Sequence, residues 1–135
     1  MDEHRIKEAP HLAAEREREL LIFNEESGIG IDDLNLLDLA FTHRSYANEM
    51  GDRTHNNERL EFLGDSILGL AIADALIEAY PEKEEGELSK IKSIVVSEDS
   101  LALAAKKLNI AEYLHLGKGE EQTGGRRKKA LLADC

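Results

Sequence analysis

The feature that most limits how this chain can fold is a continuous helical pattern from about Asn56 to Tyr80, closed by Pro81. At 1.5 Å per residue it predicts a helix of roughly 25 residues and about 37 Å. Proline lacks the N–H that would continue the ladder, so the helix ends there. Its middle, Ile67 to Ile77, is apolar almost all round apart from Asp74. Such a helix is expected to be buried on several sides.

The rest of the chain is helical too. Residues 13–26 pair strong helix formers with a short apolar patch, and Ser27-Gly28 reads as a C-cap. Ile31 to Phe41 forms a second helix, with Asp32 or Asp33 as cap and Leu34, Leu37 and Phe41 on one stripe. Thr42–Asn48 reads as one helical turn or a connection. Ser89–Val96 and Leu101–Leu108 read as short helices, the second with Ser97 or Ser100 as cap. Gly117 to Lys128 reads as a glycine-rich loop. No strand pattern, repeat or low-complexity stretch stands out, and the fold class is all-α. The apolar opening Ala130-Leu131-Leu132-Ala133-Asp134-Cys135 has no second turn, which predicts that these residues are a portion of a longer chain.

Composition narrows the function classes. With 135 residues and 41% hydrophobic side chains, the chain suits one folded domain. No apolar run approaches the ~20 residues of a membrane span, and MDEHRIKEAPH is too charged for a signal peptide. The single cysteine, Cys135, excludes an intrachain disulfide and zinc fingers, and a reducing cytoplasm is the expected compartment. Gly28-x-Gly30 and Gly117-x-Gly119 lack the context of a phosphate-binding fingerprint, so no small-molecule cofactor is expected. Seventeen basic against 28 acidic residues leave a net charge of −11. That opposes nucleic-acid binding by bulk electrostatics, so such binding would need local patches or bound cations.

Chemistry concentrates in residues 56–69, NNERLEFLGDSILG. Glu58, Glu61 and Asp65 fall at i, i+3 and i+7, one helical face. Glu61 and Asp65 repel each other by about 0.2–0.5 kcal/mol, and Gly64 costs ~1 kcal/mol more than alanine. A hard divalent cation would cancel the repulsion. A solvated acidic face fits the spacing equally well. His43 and Arg44 read as buried or capping residues, and His4, His11, His55 and His115 have no partner at recognisable spacing.

Four blocks in order carry a resemblance: LDLAFTHRSYANE (37–49), NNERLEFLGD (56–65), EGELSKIKSIVVSEDSLA (85–102) and GGRRKKALLAD (124–134). Together they resemble the nuclease domain of the ribonuclease III family, Mg²⁺-dependent endonucleases of double-stranded RNA. The resemblance implies that residues 1–135 are one nuclease domain, incomplete at its C-terminal side and without the double-stranded-RNA-binding domain of bacterial members. It implies metal ligands at Glu61, Asp65 and Asp134, with the family's fourth carboxylate falling three residues after Asp134, past Cys135. Glu58 matches a position near substrate and subunit interface, and Glu85 an acidic position around the cleft. The expected reaction is metal-assisted phosphodiester hydrolysis by a homodimer, giving 5′-phosphate and 3′-hydroxyl ends in RNA processing, with Mn²⁺ able to replace Mg²⁺. Lacking one ligand, this chain alone is expected to be weak or inactive. Arg126, Arg127, Lys128 and Lys129 form the one dense basic patch and are expected to contact RNA. Leu63, Ile67 and Leu70 fit either the core or a dimer seam. A non-cleaving RNA-binding or assembly module on the same fold is the alternative, which survival of Glu61, Asp65 and Asp134 disfavours.

Overall fold

The computed structural model describes residues 11–135. The reading of the first ten residues, His4 included, lies outside them. Among the described residues eight α-helices follow one another: α1 (Ala14–Ser27), α2 (Leu34–Ala40), α3 (Arg44–Glu49), α4 (Glu58–Ala79), α5 (Glu85–Val95), α6 (Glu98–Lys107), α7 (Lys118–Gln122) and α8 (Lys129–Asp134). Short 3-10 turns occupy Ile110–Glu112 and Gly125–Arg127. Among the described residues there is no strand, only an isolated parallel bridge between Thr42 and His115. No helix among them is long and apolar enough to cross a membrane.

Local chemistry explains most boundaries. Gly28 ends α1 at φ 72°, the left-handed conformation that glycine adopts without a Cβ penalty. Asp33 caps α2 by accepting from the Leu36 N–H, and Ser97 caps α6 by accepting from the Ser100 N–H. Glu84 and Glu87 form a capping box that starts α5 at Glu85, four residues before the serine from which the pattern placed it. In the segment 42–48 a helix starts at Arg44, capped by His43, and the expected loop from Gly117 to Lys128 holds α7 and a 3-10 turn.

The core is built from α1, α2 and the segment 113–116. Leu20, Phe23, Leu37, Phe41, Tyr113, Leu114 and Leu116 are all buried there. Phe23 sits edge-on to Phe41 at 4.9 Å and to Tyr113 at 5.2 Å, while Phe41 and Tyr113 stack at 5.9 Å. Edge-to-face and offset pairs add about 0.5–1.5 kcal/mol each beyond the area they bury.

A polar knot ties the same elements. Asp38 Oδ1 accepts from Arg16 Nε at 2.6 Å and pairs with His115 Nε2 at 3.2 Å, while Arg16 also donates to the Tyr113 carbonyl. Burial pushes the Asp38 carboxyl up, but hydrogen bonds from His115 and Arg16 and their charges outweigh it and hold the group below its ordinary value. The native state therefore binds the proton less readily than the unfolded chain. The stability this knot contributes is complete above the unfolded carboxyl value and is lost as pH falls through the native one. Thermal midpoints should drop steeply below about pH 4, and Asp38→Asn should flatten that part of the profile. A wild-type acid limb unchanged in the variant would contradict this.

One expectation fails in α4. Of its residues only Leu76 is buried, whereas Phe62 is 79% and Leu70 72% exposed, with Leu63, Ile67 and Ile77 also open. Apolar periodicity reports that a face wants cover, not which atoms supply it. Within the described residues the other helices reach only part of this one. Leu63, Ile67 and Leu70 therefore do not belong to the core of this chain.

Candidate active site

The carboxylates on α4 arise from how that helix begins. Asn57 is buried, donating its backbone N–H to the Thr42 carbonyl at 2.9 Å and its side-chain amide to the Ala40 carbonyl at 3.0 Å. It thereby fastens the first turn of α4 to the end of α2. Glu58 and Glu61 lie in that first turn, where the helix macrodipole favours negative charge. Asp65 follows one turn further on. Asp134 arrives from the other end of the chain on α8, which packs against α6.

Two adjoining concavities gather these groups. His43, Arg44, Asn57, Glu58, Glu61, Leu131 and Asp134 line a cleft of about 200 Å³. Glu61 and Asp134 also line, with Asp65, an apolar groove of about 500 Å³ between α4, α6 and α8. Burial raises the Glu61 carboxyl above its ordinary value, and the charges of Asp134, Asp65 and Glu58 raise it further. Asp65 and Asp134, two of the three predicted ligands, thus act on the third, Glu61, although no three His, Cys, Asp or Glu among the described residues stand close enough to hold one ion.

A carboxyl raised on folding works against stability at neutral pH, with the opposite sign to Asp38. The native state takes up the proton first, so this strain is relieved as pH falls through the native value. Glu61→Gln should therefore leave the metal-free melting temperature unchanged or higher at pH 7, by up to a few degrees. A clear fall would mean that Glu61 has a structural partner.

A family profile described as Ribonuclease-III-like matches residues 33–135. The chain belongs to the ribonuclease-III-like family. A protein named Ribonuclease 3 from Treponema denticola is 56% identical over 124 residues, 92% of this chain and 50% of that protein. The Borreliella burgdorferi Ribonuclease 3 is 50% identical over 92% of this chain and 51% of its own length. The chain thus spans about half the length of the curated relatives it matches. Two solved structures of the Campylobacter jejuni ribonuclease III nuclease domain superpose with TM-scores of 0.76 and 0.75, at 36% and 33% identity. They cover 83% and 92% of this chain and 75% and 77% of theirs. One of them is described by a flexible region involved in dimer formation. The all-helical fold is that of a ribonuclease III nuclease domain.

Other residues that the ribonuclease III resemblance singled out lie differently. Glu85 opens α5, accepts from Ser89 Oγ at 2.6 Å, and does not line the carboxylate cleft. The basic run is largely bound within the chain. Arg126 forks onto Glu121 and reaches the Ala111 carbonyl, Lys128 pairs with Glu120 at 2.6 Å, and Lys129 pairs with Asp99 at 3.0 Å. Arg127 is exposed and has no such partner among the described residues. Glu58 pairs loosely with Arg44 at 3.5 Å. Asn57 went unremarked in the sequence, since nothing local distinguishes a buried anchoring amide from a solvated one. Of the two roles expected for His43, buried or capping, the structure shows the cap, its Nδ1 accepting from the Ser45 N–H.

Gly117 shows why the segment after the core must be small. A Cβ there would stand 2.7 Å from the Ser45 carbonyl oxygen. The close approach lets the Gly117 N–H donate to Ser45 Oγ at 2.9 Å, holding α3 beside the cleft. Gly64, by contrast, faces open space, so packing inside this chain does not explain it.

Proposed function

We propose that this cleft hydrolyses phosphodiester bonds of double-stranded RNA with a divalent cation, leaving 5′-phosphate and 3′-hydroxyl ends, as part of RNA processing. The observation that carries the reading is the gathering of Glu58 and Glu61 from α4 with Asp134 from α8 in one cleft, with Asp65 lining the groove that adjoins it. Mutually repelling carboxylates are hard oxygen donors, which suit Mg²⁺ or Mn²⁺. Glu61, Asp65 and Asp134 would hold the cation once their side chains draw together, since they stand too far apart here to share one ion, and when bound it would supply Lewis-acid stabilisation of phosphoryl charge and an activated water.

The chain's own residues do the rest. Asn57 fixes where α4 starts and hence the height of Glu61 in the cleft. Glu58 holds Arg44 at the cleft, where the guanidinium offsets part of the acidic field that would repel RNA. Arg127 supplies an unengaged cation for a phosphate, while Arg126, Lys128 and Lys129 shape the loop that carries it. The open apolar face of α4 around Phe62, Leu63 and Leu70 suits pairing with a second copy, giving one site per strand.

The test is a labelled RNA duplex incubated with and without Mg²⁺, using this chain and one extended to the length of its relatives. Cleavage that needs Mg²⁺ and leaves 5′-phosphates supports the proposal. Mg²⁺-dependent binding without cleavage in both would replace it with the binding or assembly module.

A further inference from the structure

His43 does more in the structure than cap α3. Its Nδ1 accepts from the Ser45 backbone N–H at 3.2 Å and lies 2.7 Å from Ser45 Oγ, which itself accepts from the Gly117 N–H. An N–H pointing at Nδ1 requires a lone pair there, so the hydrogen-bond network assigns the ring proton to Nε2. That N–H has no partner among the described residues. No buried polar side-chain atom among them lacks a hydrogen bond, so Nε2 is open to solvent or ligand. The imidazole lines the same cleft as Glu61 and Asp134.

We infer that the His43 Nε2–H is a hydrogen-bond donor to a phosphate oxygen of RNA entering this cleft, an inference that rests on the function proposed above. The cleft's other charged groups make this the donor such a site needs. Glu58, Glu61 and Asp134 are acceptors, and Arg44 is already drawn to Glu58. A neutral N–H adds recognition of an anion without competing with a cation for the carboxylates. Burial lowers the His43 pKa, and the opposing charges of Glu120 and Glu58 against Arg44 and Lys128 leave it lowered, so the ring stays neutral at pH 7. Ser45 and the Gly117 N–H lock the ring's orientation from behind, as a binding group requires.

Asparagine and glutamine substitutions separate the two jobs of this histidine. Asparagine keeps an oxygen that can cap α3 but does not reach the Nε2 position, whereas a glutamine amide does. The probe is a short fluorescent RNA duplex titrated with this chain in Mg²⁺, alongside melting temperatures. His43→Asn is expected to weaken binding about fivefold, the worth of one neutral hydrogen bond, at near wild-type melting temperature. His43→Gln is expected to recover most of the affinity. A long-range ¹H–¹⁵N spectrum should show the Nε2–H form, with Nε2 and not Nδ1 shifting as duplex is added.

Unchanged affinity in His43→Asn, while Asp65→Asn abolishes the Mg²⁺ dependence, would overturn the His43 role and leave the carboxylate site standing. An Nδ1–H tautomer, or parallel losses of melting temperature and affinity that glutamine does not restore, would reduce His43 to its cap. A duplex that shows no Mg²⁺-dependent binding to the wild-type chain would overturn both readings.

Discussion

Asp65→Asn should lower Mg²⁺-dependent cleavage of duplex RNA by roughly 10³-fold or more, measured in the chain extended to its relatives' length. Metal-assisted stabilisation of phosphoryl charge is worth several kcal/mol, and each 1.36 kcal/mol is about tenfold in rate. The substitution removes one negative charge and almost no volume. Asp65 is exposed on α4 and its carboxylate makes no hydrogen bond or ion pair within the described residues, so the helix should not notice its loss. Circular dichroism of the variant should match wild type. Cleavage at the wild-type rate would remove Asp65 from the site, and with it the reading of α4 as a ligand helix.

Phe41→Ala should have the largest effect on stability, about 4 kcal/mol, or a fall of roughly 15 °C in melting temperature. Phe41 is 3% exposed and packs on both Phe23 and Tyr113. Its alanine variant loses the transfer energy of a ring and leaves a cavity between α1, α2 and the segment 113–116, which close backbone bonds prevent from collapsing. The His115 N–H donates to the Phe41 carbonyl at 2.8 Å, and Thr42 is fixed on both sides. Phe41→Leu, which keeps most of the apolar volume, should lose less than half as much. Because Phe41 is followed directly by Thr42 and His43, the alanine variant should also loosen the cleft. Equal melting temperatures for wild type and Phe41→Ala would contradict the packing described here.

The parts of this molecule that were legible in the sequence are those set by local rules. Pro81 and the apolar spacing gave α4 to within a few residues, and Gly28 and Asp33 closed and opened their helices as glycine and aspartate do. The shared face of Glu58, Glu61 and Asp65 follows from helical geometry alone. Asp134 could be joined to them only through the family resemblance, because its approach depends on how α8 packs against α6. The same limit explains the basic run. Glu120, Glu121 and Asp99 neutralise three of its four cations, and the Asp99 contact spans a stretch that no spacing rule predicts. The start of α5 was hidden because Glu84 and Glu87, which cap it, sit in an acidic run that reads as solvated loop. The face of α4 misled for another reason: hydrophobicity specifies a need for cover, and nothing along one chain says whose atoms meet it.

The central claim is that Glu61, Asp65 and Asp134 serve one divalent cation, and paramagnetic broadening by Mn²⁺ tests it without requiring activity. Substoichiometric Mn²⁺ should first broaden backbone amide resonances of residues 58–65 and 131–135 of this chain. Asp65→Asn should greatly weaken that effect, and excess Mg²⁺ should compete it away. Broadening centred instead on the exposed acidic run 82–87, or unaltered in Asp65→Asn, would contradict the account.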